Sequence, residues 1–570
     1  MQNVVFILLR RMRAPLIVLI VTYAVAVLGL VLIPGMDARG EPWRMDFFHA
    51  FYFVSFMGST IGFGEIPYPF TGAQRMWTLV TIYASVFAWL YAIGTMLSVL
   101  QDRAFWRVVH RTLFVKAVHR IAGPFYVVCG YGDTGDLLVH ALAERRIGCV
   151  VLDRDQERID ALEVGGLPTF VPGLTADAAD PDALRAAGLV RPNCKGVLGV
   201  TGSERVNLGV AISSKLMAPS RMVISRAEYA DTAANLESFG TDHVVNPFDE
   251  FASRFALAIH SPSMYLLDEW MTSPDDAKPV RPVTPPRGTW VLCGFGRFGK
   301  AVQLHLSLEG VGTVIVEAQP EATGAPADAV RGRGTEAVTL REAGIERAVG
   351  LIAGTDDDTN NLSIIVTARE LNENLFVVAR QNLRRNSARF ESAWVDVVMD
   401  PGRIIARRVL AYITTPLLPE FLAAARRQNE EWANVLVSRV AGTIGEDTPL
   451  TWTLSVDLAD ARAVAMVLAE GGAVTVGELL TDPRDRRSSL CAVALLLVRS
   501  GDTQLLPGPE ASLRPGDRLL LCGSRQGRDQ LLRIARDHGL LDYVRLGVDR
   551  PQGYIWRWLT GRRAPIDPPA

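Results

Sequence analysis

The sequence predicts an α-helical membrane part followed by two α/β units of the dinucleotide-binding kind and a small α+β lobe. Three observations carry this expectation. Two long uncharged apolar runs lie within the first 101 residues. A strand, a glycine-rich loop, a helix, a second strand and a terminal acid then occur in that order twice. After Ala433 the texture changes to short apolar runs broken by Gly, Pro and Asp, as strands and turns are.

Composition frames the rest. At about 150 residues per domain, 570 residues suggest about four domains. Charged residues make up 21% and apolar ones 49%, which argues against a long disordered chain. Fifty-nine basic and 61 acidic side chains leave a net charge of −2, so there is no global attraction to nucleic acid. Six scattered cysteines without a C-x-x-C argue against a disulfide scaffold or a zinc ribbon. Cys129, Cys149, Cys293, Cys491 and Cys522 lie in or beside apolar strand-like runs and are expected to be buried thiols in a reducing compartment.

Residues 14–36 and 76–101 carry no charge, and a helix needs about 20 apolar residues to cross a bilayer. Arg10, Arg11 and Arg13 precede the first run, but its apolar core is longer than a signal peptide's and no A-x-A site ends it. Arg103, Arg107, Arg111, Lys116 and Arg120 follow the second run, against Arg39, Arg44 and Arg75 between the two. The positive-inside rule then places both termini in the cytoplasm of a multi-pass inner (plasma) membrane protein.

Residues 47–64 between the runs hold no Asp, Glu, Lys or Arg and are rich in aromatics. A helix from about Asp46 to Met57 would be about 18 Å long, too short to span alone. It runs into Gly58-Ser59-Thr60-Ile61-Gly62-Phe63-Gly64-Glu65. Irregular backbone at membrane depth survives only when buried in protein or lining a water-filled path. Alternating glycines permit torsions that turn successive carbonyls to one side. Four such segments around an axis would stack rings of oxygens that replace a potassium ion's water, with the Thr60 hydroxyl as the innermost ring. Thr60-Ile61-Gly62-Phe63-Gly64, with Glu65 at the mouth, resembles the potassium-channel selectivity filter. Phe63 stands where the family more often has Tyr, and Glu65 where it more often has Asp. Gly94, the one glycine in the second run, is either a gating hinge or a close-packing position.

The repeat follows. Phe125 to Cys129 reads as a strand, followed by Gly130-Tyr131-Gly132-Asp133-Thr134-Gly135; Trp290 to Cys293 is followed by Gly294-Phe295-Gly296-Arg297-Phe298-Gly299. Asp153 and Glu317 each end a second strand 23 residues after the first glycine. The offset between copies starts at 164 and settles at 154, where Thr201, Asn207, Arg226 and Pro247 match Thr355, Asn361, Arg380 and Pro401. The ten extra residues of the first copy are expected mostly around 165–181. In such a unit the glycines let backbone approach pyrophosphate, the helix N-terminus offers free N–H groups, and the acid accepts from ribose. The nucleotide-binding candidates are Gly130, Gly132, Gly135, Asp153 and Arg154 in the first copy. In the second they are Gly294, Gly296, Arg297, Phe298, Gly299, Glu317, Thr355 and Arg380. Arg297 and Lys300 favour an anion and Asp133 repels one, so the second site is expected to take the more phosphorylated ligand or to bind more tightly. Arg226 and Arg380 either close over phosphate or pair with an acid. Asp356-Asp357-Asp358 is either a divalent-cation site or a loop with one acid capping the next helix, the capping role being favoured. No metal ligands are assigned.

Leu340-Arg341-Glu342-Ala343-Gly344, the run from Thr355 to Asn361, and Ala368-Arg369 resemble the RCK (KTN) domains that regulate potassium conductance; the first copy is more divergent. The resemblance implies two Rossmann-like RCK domains behind a pore domain of two transmembrane helices and a pore helix. It makes the helices on either side of Pro262 and Pro416 subunit-pairing elements, with Met264, Leu266, Leu267, Trp270, Leu417, Leu418, Phe421 and Leu422 as contacts. The expected division is a pore domain at 1–102, a linker helix at 103–123, a first RCK domain at 124–274 and a linker at 275–287. A second RCK domain at 288–435, a C-terminal lobe at 436–545 and a tail at 546–570 follow, the tail carrying Trp556 and Trp558.

The resemblance covers nearly the whole chain and implies a non-enzymatic, potassium-selective channel gated by NAD(H), ADP or ATP, with K+ as the permeant ion and Ca2+ modulation unplaced. It implies a homotetramer in the lipid bilayer, whose eight RCK units form a gating ring. A membrane-tethered NAD-dependent oxidoreductase and a Trk/Ktr-type transporter component are the competing classes. The first leaves the filter segment unexplained, and regulators of the second kind are soluble.

Overall fold

The computed structural model describes residues 2–64, 66–272, 283–445 and 449–547. It divides into two compact units, Met1–Arg120 and Ile121–Ala570.

In the first unit, Arg10–Leu32 and Gly72–Gln101 are long and apolar enough to cross a membrane. Their outer faces expose Ile17, Ile20, Leu28, Leu79, Phe87 and Leu90, as suits surfaces that meet hydrocarbon. The two pack closely because Gly29 leaves room: a Cβ there would overlap the Trp77 indole. Trp77 Nε1 donates to the Ala26 carbonyl at 3.1 Å, and Trp89 Nε1 to the Tyr23 hydroxyl at 2.9 Å. The short helix between them runs Phe47–Gly58, capped by Asp46, which accepts from His49 N at 2.8 Å. Its Phe53, Val54 and Phe56 form one core with Ala26, Leu30 and Met45. The linker helix expected at 103–123 runs Arg103–Arg120. Asp102, extended at φ −74° and ψ 113°, separates it from the second span and pairs with Arg11.

In the second unit the repeat folds as two six-stranded, all-parallel sheets. The first comprises Phe125–Cys129, Gly148–Asp153, Gly173–Thr175, Cys194–Gly199, Met222–Arg226 and His243–Val245. The second comprises Trp290–Cys293, Thr313–Glu317, Val330–Arg331, Gly350–Ala353, Phe376–Arg380 and Val397–Met399. Both have the spatial order 3-2-1-4-5-6, so each has a switch point at the C-terminal end of its first strand. Part of the first copy's extra length is a longer helix, Gln156–Val164, where the second copy has Pro320–Thr323.

The two sheets exchange helices. Pro247–His260 leaves the first sheet and places Phe248, Phe251, Phe255 and Ile259 in a core with Trp290, Phe298 and Val302 of the second. Pro401–Thr414 leaves the second sheet and places Ile405, Ala406 and Val409 against Leu138, Val139 and Leu142 of the first. Neither repeat buries its own glycine-loop helix without the other. The following helices, Pro262–Thr272 and Leu418–Ala425, meet through Met264, Leu267, Leu417, Leu418, Phe421 and Leu422. These residues thus join the two repeats of one chain. Beneath them Asp268 pairs with Arg254 at 2.7 Å and Arg426 at 3.0 Å, and Glu269 pairs with Arg254 and Arg407. The arginines overcome the burial of both carboxylates and hold them below their ordinary pKa.

The β texture expected after Ala433 begins later. Glu430–Ile444 is a helix whose Ala433, Leu436 and Val440 lie on one apolar face, packed under the lobe's sheet. Leu450–Ser455, Ala492–Arg499, Asp502–Leu505 and Arg518–Gly523 form that antiparallel sheet. Arg462–Ala469, Arg525–Arg536 and His538–Leu546 share a core with the sheet's other face. Residues 283–287 of the expected linker carry neither helix nor strand; its remainder, Glu65, Trp556 and Trp558 lie outside the described residues. Cys491 is exposed because it sits one residue before the strand Ala492–Arg499, outside the packed layer; the other five cysteines, Cys194 included, are buried.

Candidate functional site

Two places gather the predicted residues. The first is the segment after the short apolar helix. Thr60 N donates to Met57 O at 3.1 Å and Ile61 N to Phe56 O at 3.2 Å, so the helix's last carbonyls anchor it. Thr60, Gly62 and Gly64 have φ of +59°, +64° and +78°, while Ile61 and Phe63 stay outside the left-handed region. Alternation of hand is the torsion pattern that turns successive carbonyls to one side. Ile61 and Phe63 are 72% and 67% exposed, so their side chains find no wall within one chain. Gly94 lies inside Gly72–Gln101, and a Cβ there would meet nothing within 4 Å. A close-packing role for Gly94 therefore has no support within the described chain.

The second place is the pair of glycine loops, which follow one plan. Gly130 and Gly294 have φ of +103° and +96°, open to glycine alone without strain. Gly135 and Gly299 sit so close beneath the loop that a Cβ would overlap the carbonyl oxygen of Gly130 or Gly294. Gly132 and Gly296 begin the helices Asp133–Glu144 and Arg297–Leu308. Asp153 accepts from Tyr131 N at 2.6 Å and Asp155 N at 2.8 Å; Glu317 accepts from Phe295 N at 2.6 Å and Gln319 N at 2.9 Å. Both acids brace their loops, which leaves less of each carboxylate for a ribose. Phe298 is fully buried, its ring packed beside Phe248 and Phe251.

Across each loop, Thr355 N and Oγ1 donate to Asn361 Oδ1 at 2.9 and 2.7 Å, and Asn361 Nδ2 donates to the Arg380 carbonyl at 2.8 Å. Thr201, Asn207 and Arg226 repeat this arrangement. Asp357 caps Asp358–Leu371, accepting from Thr359 N and Asn360 N. Asp358 holds Asn382, Leu383 N and Asn386. Two of the three aspartates are thus committed to the protein's own donors. Among the described residues no group of three or more His, Cys, Asp or Glu could hold a metal ion.

The charges differ from the expectation. Asp133 does not face the first loop unopposed: it accepts from Arg384 N at 3.2 Å, and Asp136 pairs with Arg384 at 3.0 Å. Arg158, absent from the sequence-derived set, lies 3.6 Å from Asp153, and a Cβ on Gly132 would come within 3.3 Å of its Nη1. Arg154, which is in that set, is exposed. In the second copy Arg297 is engaged by Glu228 at 2.5 Å and lies over the Tyr229 ring. Arg226 also pairs with Glu228. Arg380 stacks on Phe248, its buried Nε has no hydrogen-bond partner among the described residues, and burial pulls its pKa down. The loop charges behind the ranking of the two sites are thus met by partners that the other repeat supplies. The signal for Arg158 was a basic residue on the helix just after Asp153; Glu228 and Arg384 carry no local signal.

Two apolar helices joined through a short third one, followed by two switch-point α/β units, define a membrane protein with a tandem dinucleotide-type α/β fold. Comparison with known families agrees. Residues 16–102 match the ion channel family, and residues 126–247 and 290–401 each match the TrkA-N domain. The chain thus combines an ion-channel domain with two TrkA-N domains. It is 27% identical over 209 residues to potassium channel protein 1 of Methanocaldococcus jannaschii, covering 36% of this chain and 60% of that one. It is 34% identical over 136 residues to an uncharacterized protein of Methanothermus fervidus, covering 22% and 21% of the two chains. The chain thus spans less than two thirds of the length of these relatives. Among solved structures, the GsuK channel bound to NAD aligns over 93% of this chain and 99% of its own, at 16% identity and a TM-score of 0.46.

Proposed function

We propose that the chain is the subunit of a potassium-selective channel in which four copies surround one pore. Eight RCK units in its cytoplasmic ring shift pore opening when nucleotides bind. The observation that carries this is the filter segment: alternate left-handed torsions at Thr60, Gly62 and Gly64, anchored on a helix too short to span, with Ile61 and Phe63 exposed in a single chain. Copies around an axis would cover those side chains and complete rings of carbonyl oxygens. Glu65 would stand at the mouth and Gly94 would let the second span bend.

Nucleotide binding is assigned to the loops beginning at Gly130 and Gly294, with Asp153 and Arg154, or Glu317, Thr355 and Arg380, beside them. The ligands are NAD(H), ADP or ATP, by the chemistry of the glycine loop and helix N-terminus. Residues 1–102 would form the pore, and the helix Arg103–Arg120 would carry the ring's movement to the second span, with both termini in the cytoplasm. A ligand moves this equilibrium only by its different affinity for the open and closed states.

The test is potassium efflux from liposomes holding the purified full chain, with sodium as control, with and without NAD, NADH, ADP and ATP. Potassium flux that exceeds sodium flux and changes with a nucleotide supports the proposal. Equal flux of both ions, or none under any condition, overturns the pore assignment. Selective flux indifferent to every nucleotide overturns the ligand assignment alone.

A further inference from the structure

The second glycine loop already holds an anion, and it comes from the other repeat. Glu228 lies just past the last residue of the strand Met222–Arg226 in the first sheet. Its Oε2 is 2.5 Å from Arg297 Nη1, on the first residue of the helix that the loop feeds. Its Oε1 is held by Arg226. The backbone behind it is pinned as well: Glu204 accepts from the N–H groups of Glu228 and Tyr229 and from Thr232 Oγ1. The carboxylate is thus presented from a braced turn, largely buried, against the side chain of the first residue of the helix that the loop feeds.

Arg226 and Arg297 both pair with this one carboxylate, and Arg380 feels Glu228, the like charge of Arg297, and the carboxylates of Asp356 and Asp358. Among the described residues Arg380 has no ion pair, and its guanidinium is stacked on Phe248. Phe248 belongs to the exchanged helix Pro247–His260, so two elements of the first repeat line the second repeat's loop. The first loop shows the opposite polarity at the equivalent place, where Asp133 and Asp136 hold Arg384 of the second repeat.

We propose that Glu228 is the specificity-determining residue of the second loop: a resident carboxylate that a ligand's phosphate must displace from Arg297. This rests on the nucleotide assignment made above. A ligand with a terminal phosphate, such as ADP or ATP, competes for Arg297 with more charge than the bridging diphosphate of NAD. Displacement leaves Glu228 to Arg226 alone and takes away a tie between the repeats. Occupancy of the second loop is therefore read out as loosening of the junction between the two sheets, with no residue of the pore involved.

The test compares Glu228→Gln, Arg226→Gln and wild-type full-length protein by calorimetric titration with ADP, ATP and NAD. Glu228→Gln removes the competitor, and ADP and ATP should bind about tenfold more tightly, within the usual range of coupling between sites. The gain for NAD should be smaller. Arg226→Gln removes the other claim on Glu228, leaves it wholly to Arg297, and should weaken ADP and ATP binding. A merely structural role would make both variants change in the same direction, because each removes one ion pair at the junction. Unchanged affinity in Glu228→Gln, or a shift of equal sign in both variants, overturns the proposal while leaving nucleotide binding intact. No nucleotide binding by wild type or by either variant overturns this proposal together with the ligand assignment.

Discussion

Arg297 and Asp133 hold the same position in the two glycine loops, and each is answered by a residue of the opposite repeat. Arg297 meets Glu228 at 2.5 Å, and Asp133 accepts from Arg384 N at 3.2 Å. The first turn after each loop is therefore an inter-repeat contact as well as a place for a phosphate. A positive residue at a helix N-terminus is unfavourable to the helix dipole, so Arg297 gains from a fixed carboxylate beside it.

Between Thr60 and Gly64, glycine stands at two of the three positions of positive φ. Gly62→Ala places a Cβ at φ +64°, which costs about 1–2 kcal/mol in each chain. Potassium flux from liposomes should lose its preference over sodium. Gly72→Ala, at the start of a helix with nothing within 4 Å of the new methyl, should leave that preference unchanged.

Two of the three glycines of the second loop should respond differently to alanine. At Gly299 the added methyl overlaps the Gly294 carbonyl oxygen, and overpacking of this kind costs about 1–3 kcal/mol. At Gly296 it meets nothing within 4 Å. Thermal unfolding of the full chain should show a lowered transition for Gly299→Ala and an unmoved one for Gly296→Ala.

The junction should be acid-sensitive. His243 of the first sheet stacks on Tyr412 of the exchanged helix, ring centroids 3.7 Å apart. Burial lowers its pKa, Asp242 opposes that shift, and Arg408 adds to it. The folded state thus favours the neutral ring, while an unfolded His takes up a proton below about pH 6.5. The unfolded state then binds more protons, and stability falls as pH drops through that value. The unfolding temperature should decline between pH 7.5 and 5.5, and His243→Phe should reduce the decline.

Thiol chemistry should separate one cysteine from five. Burial pushes Cys149, Cys293 and Cys522 up to about 12 and Cys194 up to about 11, and Cys129 higher still. Thiolate is the reactive form, so these stay inert in the folded protein. Iodoacetamide at pH 8 should label Cys491 alone until denaturant is added; early labelling of Cys293 would contradict its burial.

What the sequence made legible was local. Two uncharged runs marked the two long apolar helices, and the glycines at 62 and 64 marked two of the three left-handed torsions between Thr60 and Gly64. The spacing from Gly130 to Asp153, and from Gly294 to Glu317, gave the parallel sheets. Thr355 and Asn361 surfaced as matches of Thr201 and Asn207, though only the structure shows the hydrogen bonds that tie them. What stayed hidden was whatever the other repeat supplies. Glu228 and Arg384 are distant in sequence from the loops they touch, so Arg297 and Asp133 read as free charges. The helix Glu430–Ile444 was missed because its apolar residues, seen without a partner, resembled the start of the strand-rich lobe.

The exchanged helices also set a timetable for synthesis. The first sheet emerges from the ribosome early, but the face of Asp133–Glu144 that Ile405 and Val409 cover stays bare until the far later Pro401–Thr414 has been made. At ordinary elongation rates that interval is on the order of tens of seconds. Throughout it, Leu138, Val139 and Leu142 are without the residues that later bury them. The nascent chain is then open to chaperone capture or to pairing with a neighbouring nascent copy. A truncation anywhere before Pro401 would make that interval permanent.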